Sequence, residues 1–380
     1  MNSQISLFQD SEKYNSLRRE RYSARSFLQS FTSLKSTRTC GHHSFSGSVD
    51  FYRGVNSDGL YRSSIKNLIS CQSLWACPYC SFSSSAVRSA QISNMLKSWS
   101  DLDYSVSFAT LTVSHSKKTS LSFLWDNLLL AYKSFQSGKG YLTLKTNFNL
   151  IGSIRAVEAT YGRNGWHLHI HLVFLHNAPI DLKKFSSSVY SRWESSTKLF
   201  NLTTSKSGFD IRRSYSDSGL SSYLSKNTYD LGSELTSTNI KKYANSRTPF
   251  TILYNMKLNN LNSCVCTNED GSKKYLNLCD FCLWRDWEKT SKGRRQIGYS
   301  GKKSILNLLS QLDLDIDDVQ ENLIIFDNKY LFSMLNSEYK ILLKADLVPT
   351  LLDLLQNSCL NEANMLLSDY GFYSYVLEEI

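Results

Sequence analysis

The sequence predicts an α+β protein in which an open antiparallel sheet of split βαβ type is flanked by Cys-rich segments and followed by a small, mostly helical C-terminal domain. Three observations carry this reading. Residues 105–114 (SVSFATLTVS) alternate as a strand does, residues 150–160 and 166–175 are strand-like and joined by GRNG, and helical spacing fills the intervals between strands. Residues 1–100 form a first segment. It opens on a Ser-rich stretch with Arg18, Arg19, Arg21 and Arg25 among Tyr22, Phe27 and Phe31, which fits either a DNA-binding arm or a solvated helix face. It closes on Cys77 and Cys80, after which Val87, Ala90 and Leu96 predict a helix over 84–99.

The second segment, 101–255, holds the sheet. After its first strand, Leu124, Leu128, Tyr132 and Phe135 mark one face of a helix that ends at Gly138 and Gly140. GRNG makes a hairpin of the next two strands. Leu182, Phe185, Val189 and Trp193 line a second helix, residues 209–213 form a short strand, and a last helix starting near Ser216 or Asp217 carries Tyr223, Lys226 and Tyr229. The order βαββαβα is that of a split βαβ unit. A third segment, 256–302, contains a second Cys group and the basic residues 292–295; the fourth, 303–380, is rich in Leu, Ile and acid.

The formal charge of +10 conceals a division. Residues 304–380 hold three Lys against thirteen Asp and Glu, which leaves 40 basic and 20 acidic residues before them. A basic body of this kind predicts a nucleic-acid partner. No apolar run approaches the ~18 residues of a membrane span, and the N-terminus lacks the apolar stretch of a secretion signal. A cytoplasmic, reducing compartment is therefore expected, where clustered Cys read as metal ligands. No GxxxxGK[ST] occurs, so nothing points to ATP as a fuel.

In GWHLHIHLVF (165–174), His167, His169 and His171 fall at every second position and hence on one face of a strand. If the hairpin turns on Arg163 and Asn164, Glu158 lies opposite His169 and Thr160 opposite His167. The expected ligands of a divalent ion are then His169, His171 and Glu158, with His167 nearer the turn as an alternate or supporting ligand. On the last helix Tyr223 and Lys226 are three apart and share a face, where the ammonium can assist a phenol whose own pKa near 10 makes it a poor nucleophile. Cys264, Cys266, Cys279 and Cys282 form CxC, twelve residues, then CxxC, a zinc pattern. Cys77 and Cys80, with Cys71 and either Cys40 or His42/His43, make a second structural site. One or two Zn²⁺ are expected.

These residues resemble the rolling-circle replication initiators of small plasmids, within the HUH endonucleases. CQSLWACPYC is similar to the Cys-rich segment ahead of the nuclease domain, FATLTVSH to its first motif, VEATYGRNGWHLHIHLVF to its metal motif and YLSK at 223–226 to the motif of the nucleophilic tyrosine. SELTSTNIKKYANSRTPF and WEKTSKGRRQIGYS resemble two stretches that follow. The resemblance implies a ferredoxin-like or RRM-like HUH domain, Mg²⁺ or Mn²⁺ at the His/Glu site, and attack by Tyr223 on single-stranded or extruded origin DNA. It implies a 5′-phosphotyrosine link and a free 3′-hydroxyl that primes replication. Host helicase and DNA polymerase are the implied partners; a homo-oligomer is a further expectation, and Arg294, Arg295, Lys241 and Lys242 are the expected DNA contacts. Some members carry a Glu four residues before the tyrosine; here that position is Gly219, which leaves Asp217 or Tyr229 as substitutes for termination. The CxC/CxxC group looks like an insertion. A HUH transposase or relaxase, a histidine-triad nucleotide hydrolase and a zinc-ribbon DNA-binding regulator are the competing expectations.

Overall fold

The computed structural model describes residues 2–55, 60–100, 102, 104–214, 246–266, 278–301, 303, 305, 326–373 and 375. Two compact units divide the chain, residues 1–84 with 317–380, and residues 85–316. The first unit contains α1 (Asn2–Gln29), the short α2 (Lys35–Arg38), β1 (Ser48–Val55), β2 (Tyr61–Lys66) and the opening of α3 (Pro78–Ser100). From the other end of the chain it takes β9 (Phe326–Leu335), α9 (Asn336–Lys344), α10 (Val348–Gln356) and α11 (Leu360–Asp369). β1 is the middle strand of a three-stranded antiparallel sheet, between β2 and β9. The first and fourth sequence segments thus join in one unit, because a strand pairing across some 280 residues leaves no local signal.

Its core places Val49, Phe51, Phe332 and Met334 of the sheet against Tyr339, Leu342, Leu351 and Leu355 of the helices, with Phe51 and Phe332 stacked at 4.6 Å. The basic N-terminal stretch is a helix with only one side solvated, since two of its four arginines point into the unit. Arg18 and Arg25 are 5% and 1% exposed. Arg18 pairs with Asp353 at 2.6 Å and bonds Asn15, Ser63 and Gln356, while Arg19 reaches the other oxygen of Asp353 at 3.2 Å. Part of the acid in the C-terminal segment therefore neutralises the N-terminal helix.

The second unit contains the rest of α3, then β3 (Ser105–Thr112), α4 (Leu121–Phe135), α5 (Gly138–Asn147), β4 (Leu150–Gly162), β5 (Gly165–His176), α6 (Leu182–Lys198) and β6 (Phe209–Ser214). After it come β7 (Ser246–Arg247), α7 (Pro249–Leu258), α8 (Asp280–Ser291) and β8 (Ile297–Ser300). The strand order is β6-β3-β5-β4-β7, with β8 also on β4, and every neighbouring pair is antiparallel. The chain is thus a mixed α+β protein with open antiparallel sheets and a helical C-terminal region. Where the two glycines predict the end of a helix, the chain does leave α4, but Gly138 at φ +74° also opens α5.

The two sides of this sheet differ. Leu168, Ile170, Leu172 and Phe174 of β5 are fully buried on one side, where Phe174 packs on Phe185 of α6, and Trp193 of α6 donates to the Thr112 carbonyl of β3. On the opposite side Val106, Phe108, Ile154, Ala156, Val173 and Leu175 are covered by Ile92, Met95, Leu96 and Trp99 of α3. Alternation puts His171, His169 and His167 on that same side, further along β5 from the residues α3 covers. Among the described residues no helix is long and apolar enough to cross a membrane.

Candidate metal centre

The hairpin turns on Arg163 and Asn164, since Gly162 pairs with Gly165, and the register sets Glu158 opposite His169 and Thr160 opposite His167. Gly165 makes the tight return possible. Its φ is +91°, and a Cβ there would stand 3.0 Å from the Lys117 backbone. Glu158 Oε2 lies 2.7 Å from His171 Nε2 and 2.9 Å from His169 Nε2, and the two Nε2 atoms are 3.1 Å apart. Hydrogen bonds among these atoms do not account for the triangle. If both rings donate to Oε2, the two N–H groups face one another; if one ring donates to the other, that ring loses its bond to the carboxylate. Three lone pairs directed at one cation satisfy all three contacts, so the donor set fits a metal ion.

The carboxylate is prepared for this. Burial alone would raise the Glu158 pKa, but the hydrogen bonds and charge of His169 and His171 hold it well below the usual range. Thr110 Oγ1 lies 3.4 Å from His171 Nδ1, the outer contact that orients a ligating imidazole with Nε2 inward. Burial, and then the neighbouring His169 and His115, lower the His167 pKa to about 4, so this ring is neutral at pH 7. Its Nε2 is buried with no hydrogen-bond partner among the described residues, and its ring lies 4.6 Å from that of His115. His167 stands beside the triangle and contributes no atom to it. His115 and Thr110 are the residues the sequence reading did not single out. Both belong to the stretch FATLTVSH, but only the pairing of β3 with β5 brings Thr110 opposite His171.

The end of the hairpin is clamped by α8. Trp166, next to His167, donates its indole N–H to Asp286 at 3.1 Å and stacks on Trp287, which packs in turn on Trp125 of α4. Arg247 of β7 pairs with Asp280, the first residue of α8, at 2.6 Å. That helix begins at the second Cys group: Cys279 is its N-cap and Cys282 lies in its first turn. Sulfur separations are 3.3 Å for Cys264–Cys266, 3.3 Å for Cys266–Cys282 and 3.1 Å for Cys264–Cys282, with Cys279 in the same group. In the first unit Cys40, Cys71, Cys77 and Cys80 converge, with 3.4 Å for Cys40–Cys80, 3.6 Å for Cys71–Cys80 and 3.8 Å for Cys40–Cys77. Here Cys40 is the fourth member, while His42 bonds Gln29 instead. Thiolates about 2.3 Å from one tetrahedral ion stand about 3.8 Å apart, against about 2 Å in a disulfide. Both groups fit a single structural Zn²⁺, the Cys40 group more closely.

The remaining expected contacts are dispersed. Arg294 pairs with Asp126 at 2.7 Å, bonds the Thr290 carbonyl and lies over Trp125; Arg295 is exposed. Tyr223, Lys226, Tyr229, Lys241 and Lys242 lie outside the described residues. No family model matches the chain, and no solved structure does. The chain is similar to a neomycin resistance protein of Streptomyces cyanogenus, 29% identical over 133 residues, a stretch covering 28% of this chain and 30% of that protein.

Proposed function

We propose that this chain is a HUH-type endonuclease that nicks single-stranded or extruded origin DNA and so initiates rolling-circle replication of a plasmid. The observation that carries the reading is the convergence of Glu158, His169 and His171 on one sheet face. The strand order β6-β3-β5-β4 with antiparallel neighbours agrees with a ferredoxin-like or RRM-like HUH domain. Two imidazoles and a carboxylate whose donor atoms lie 2.7–3.1 Å apart suit one shared divalent ion. The family resemblance makes that ion Mg²⁺ or Mn²⁺, which would supply polarisation of the scissile phosphate.

The chain's own residues do the rest. The Tyr223 hydroxyl attacks phosphorus, a new P–O bond to tyrosine forms as the P–O3′ bond breaks, and the 3′-oxygen leaves to take up a proton as the primer hydroxyl. Lys226 stabilises the phenolate as its proton departs. β6 leads directly into the segment bearing both residues, and Arg212 on β6 is exposed with its guanidinium over Phe108, on the same side of the sheet as the triad. Arg212 and Arg295 are suited to grip phosphates. Host helicase and polymerase then act on the opened strand. The similarity to a resistance protein covers too little of either chain to carry its named role here.

The test is incubation with Mn²⁺ and single-stranded oligonucleotides from the replicon, read as a covalent protein–DNA adduct on a denaturing gel. An adduct is expected that vanishes in Tyr223→Phe and in the His169→Ala/His171→Ala pair. No adduct on any replicon sequence would overturn the reading in favour of a zinc-organised DNA-binding regulator, which uses the Cys groups and leaves the Glu158 triad without a task.

A further inference from the structure

Arg25 is a full positive charge in a place that needs a partner. The residue is 1% exposed, and among the described residues no carboxylate pairs with its guanidinium, which meets only a loose contact with the neutral Tyr339 phenol. Around it stand the rings of Tyr22 at 4.5 Å and Tyr79 at 5.1 Å, and Tyr339 is within electrostatic reach. These phenols are neutral at pH 7, and burial pushes the ionisation of Tyr22 and Tyr339 further up. The other groups that bear on Arg25 are Cys77 and Cys40. The loop carrying Cys40 is shaped to admit the guanidinium: Gly41 has φ +76°, and a Cβ there would lie 2.5 Å from Arg25 Nη1. One turn further along α1, Gln29 donates to the carbonyls of Cys40 at 2.9 Å and Thr37 at 3.1 Å, and its side-chain oxygen meets His42 at 3.0 Å.

A buried unpaired cation is strongly destabilising, so a fold that keeps one supplies an anion. Four thiolates around one Zn²⁺ carry a net charge of −2, whereas four thiols carry none. We infer that Arg25 is the buried counter-charge of the Cys40/Cys71/Cys77/Cys80 metal site, so that loading of that ion and docking of α1 are a single linked equilibrium. This rests on the reading of those four cysteines as a zinc site, and it makes Arg25 a positioning residue that touches neither ion nor DNA. The linkage is reciprocal: whatever holds the ion also holds α1.

The experiment uses the full-length zinc-loaded chain and a competing chelator whose colour reports free Zn²⁺. Cys40→Ser identifies which release step belongs to this site. Arg25→Met, which keeps the stem and removes the charge, should weaken that step at least tenfold and leave the Cys264 group unchanged; Arg25→Lys should recover most of the loss. Equal weakening by Met and Lys would show a role in shape alone and overturn the inference, as would unchanged affinity in Arg25→Met. A second measurement needs no variant: hydrogen exchange at residues 18–29 of the wild-type chain should rise when Zn²⁺ is stripped. Unchanged protection there overturns the linkage, and a wild-type chain whose Cys40 group holds no ion overturns the zinc reading itself.

Discussion

At the scale of single residues, the candidate metal site places two imidazoles and one carboxylate in largely buried positions. Glu158→Gln keeps the shape and removes the charge. Because changes to groups behind a metal ligand already cost 10–100-fold in affinity, this change should weaken Mn²⁺ binding by more than about 100-fold, measured by calorimetry on zinc-loaded protein with an unchanged far-UV spectrum. His176 tests the same physics away from the metal. Its Nδ1 donates to the Phe148 carbonyl at 2.8 Å and its Nε2 faces the Ser107 hydroxyl at 2.8 Å, the pattern of a neutral ring. Burial lowers its pKa from 6.5 to about 4, only partly opposed by the Phe148 bond. Since the unfolded ring takes its proton first, the stabilisation is full above about pH 6.5 and is lost as the pH falls toward 4. The slope is at most about 1.4 kcal/mol per pH unit. Urea unfolding of His176→Gln followed by tryptophan emission should show a shallower decline over that window; an unchanged slope would remove His176 as its source.

At the scale of elements, the hairpin of β4 and β5 was the most legible part of the molecule. GRNG fixes the turn, the turn fixes the register, and the register alone brings Glu158 to His169 without any knowledge of the rest of the fold. Thr110 was not legible in the same way, because β3 meets β5 through a long connection whose register no local turn dictates. The clamp on Trp166 was hidden for a similar reason: Asp286 and Trp287 come from a helix 120 residues later. Two substitutions probe this layer. Gly165→Ala forces a Cβ into left-handed backbone against Lys117 and should cost about 1–2 kcal/mol, seen as a lower unfolding midpoint. Trp287→Ala removes a fully buried ring between Trp166 and Trp125 and should cost about 3–5 kcal/mol. Chelation of the Cys264 group, which starts the same helix, should loosen the hairpin end in the same sense, with Trp166 fluorescence as the reporter.

At the scale of the whole molecule, the charge division acquires a structural meaning. The acidic C-terminal segment is an integral part of a unit with the basic N-terminal helix, through Arg18, Arg19 and Asp353 and through β9 beside β1. Composition shows that the two ends differ in sign but not that they meet. Deleting residues 317–380 removes, among the described residues, an edge strand and three helices from that unit. The truncated chain should therefore lose the protected core of α1 and the ion of the Cys40 group, measured as one Zn²⁺ fewer per chain, while the second unit keeps the Glu158 triad. The central claim is that this triad serves a tyrosine nucleophile, and peptide mapping of the DNA adduct tests it most directly. Digestion of the Mn²⁺-dependent adduct followed by mass spectrometry should locate the 5′-phosphate on Tyr223; a nucleotide carried by Tyr229, or by one of the histidines at 167, 169 or 171, would contradict it.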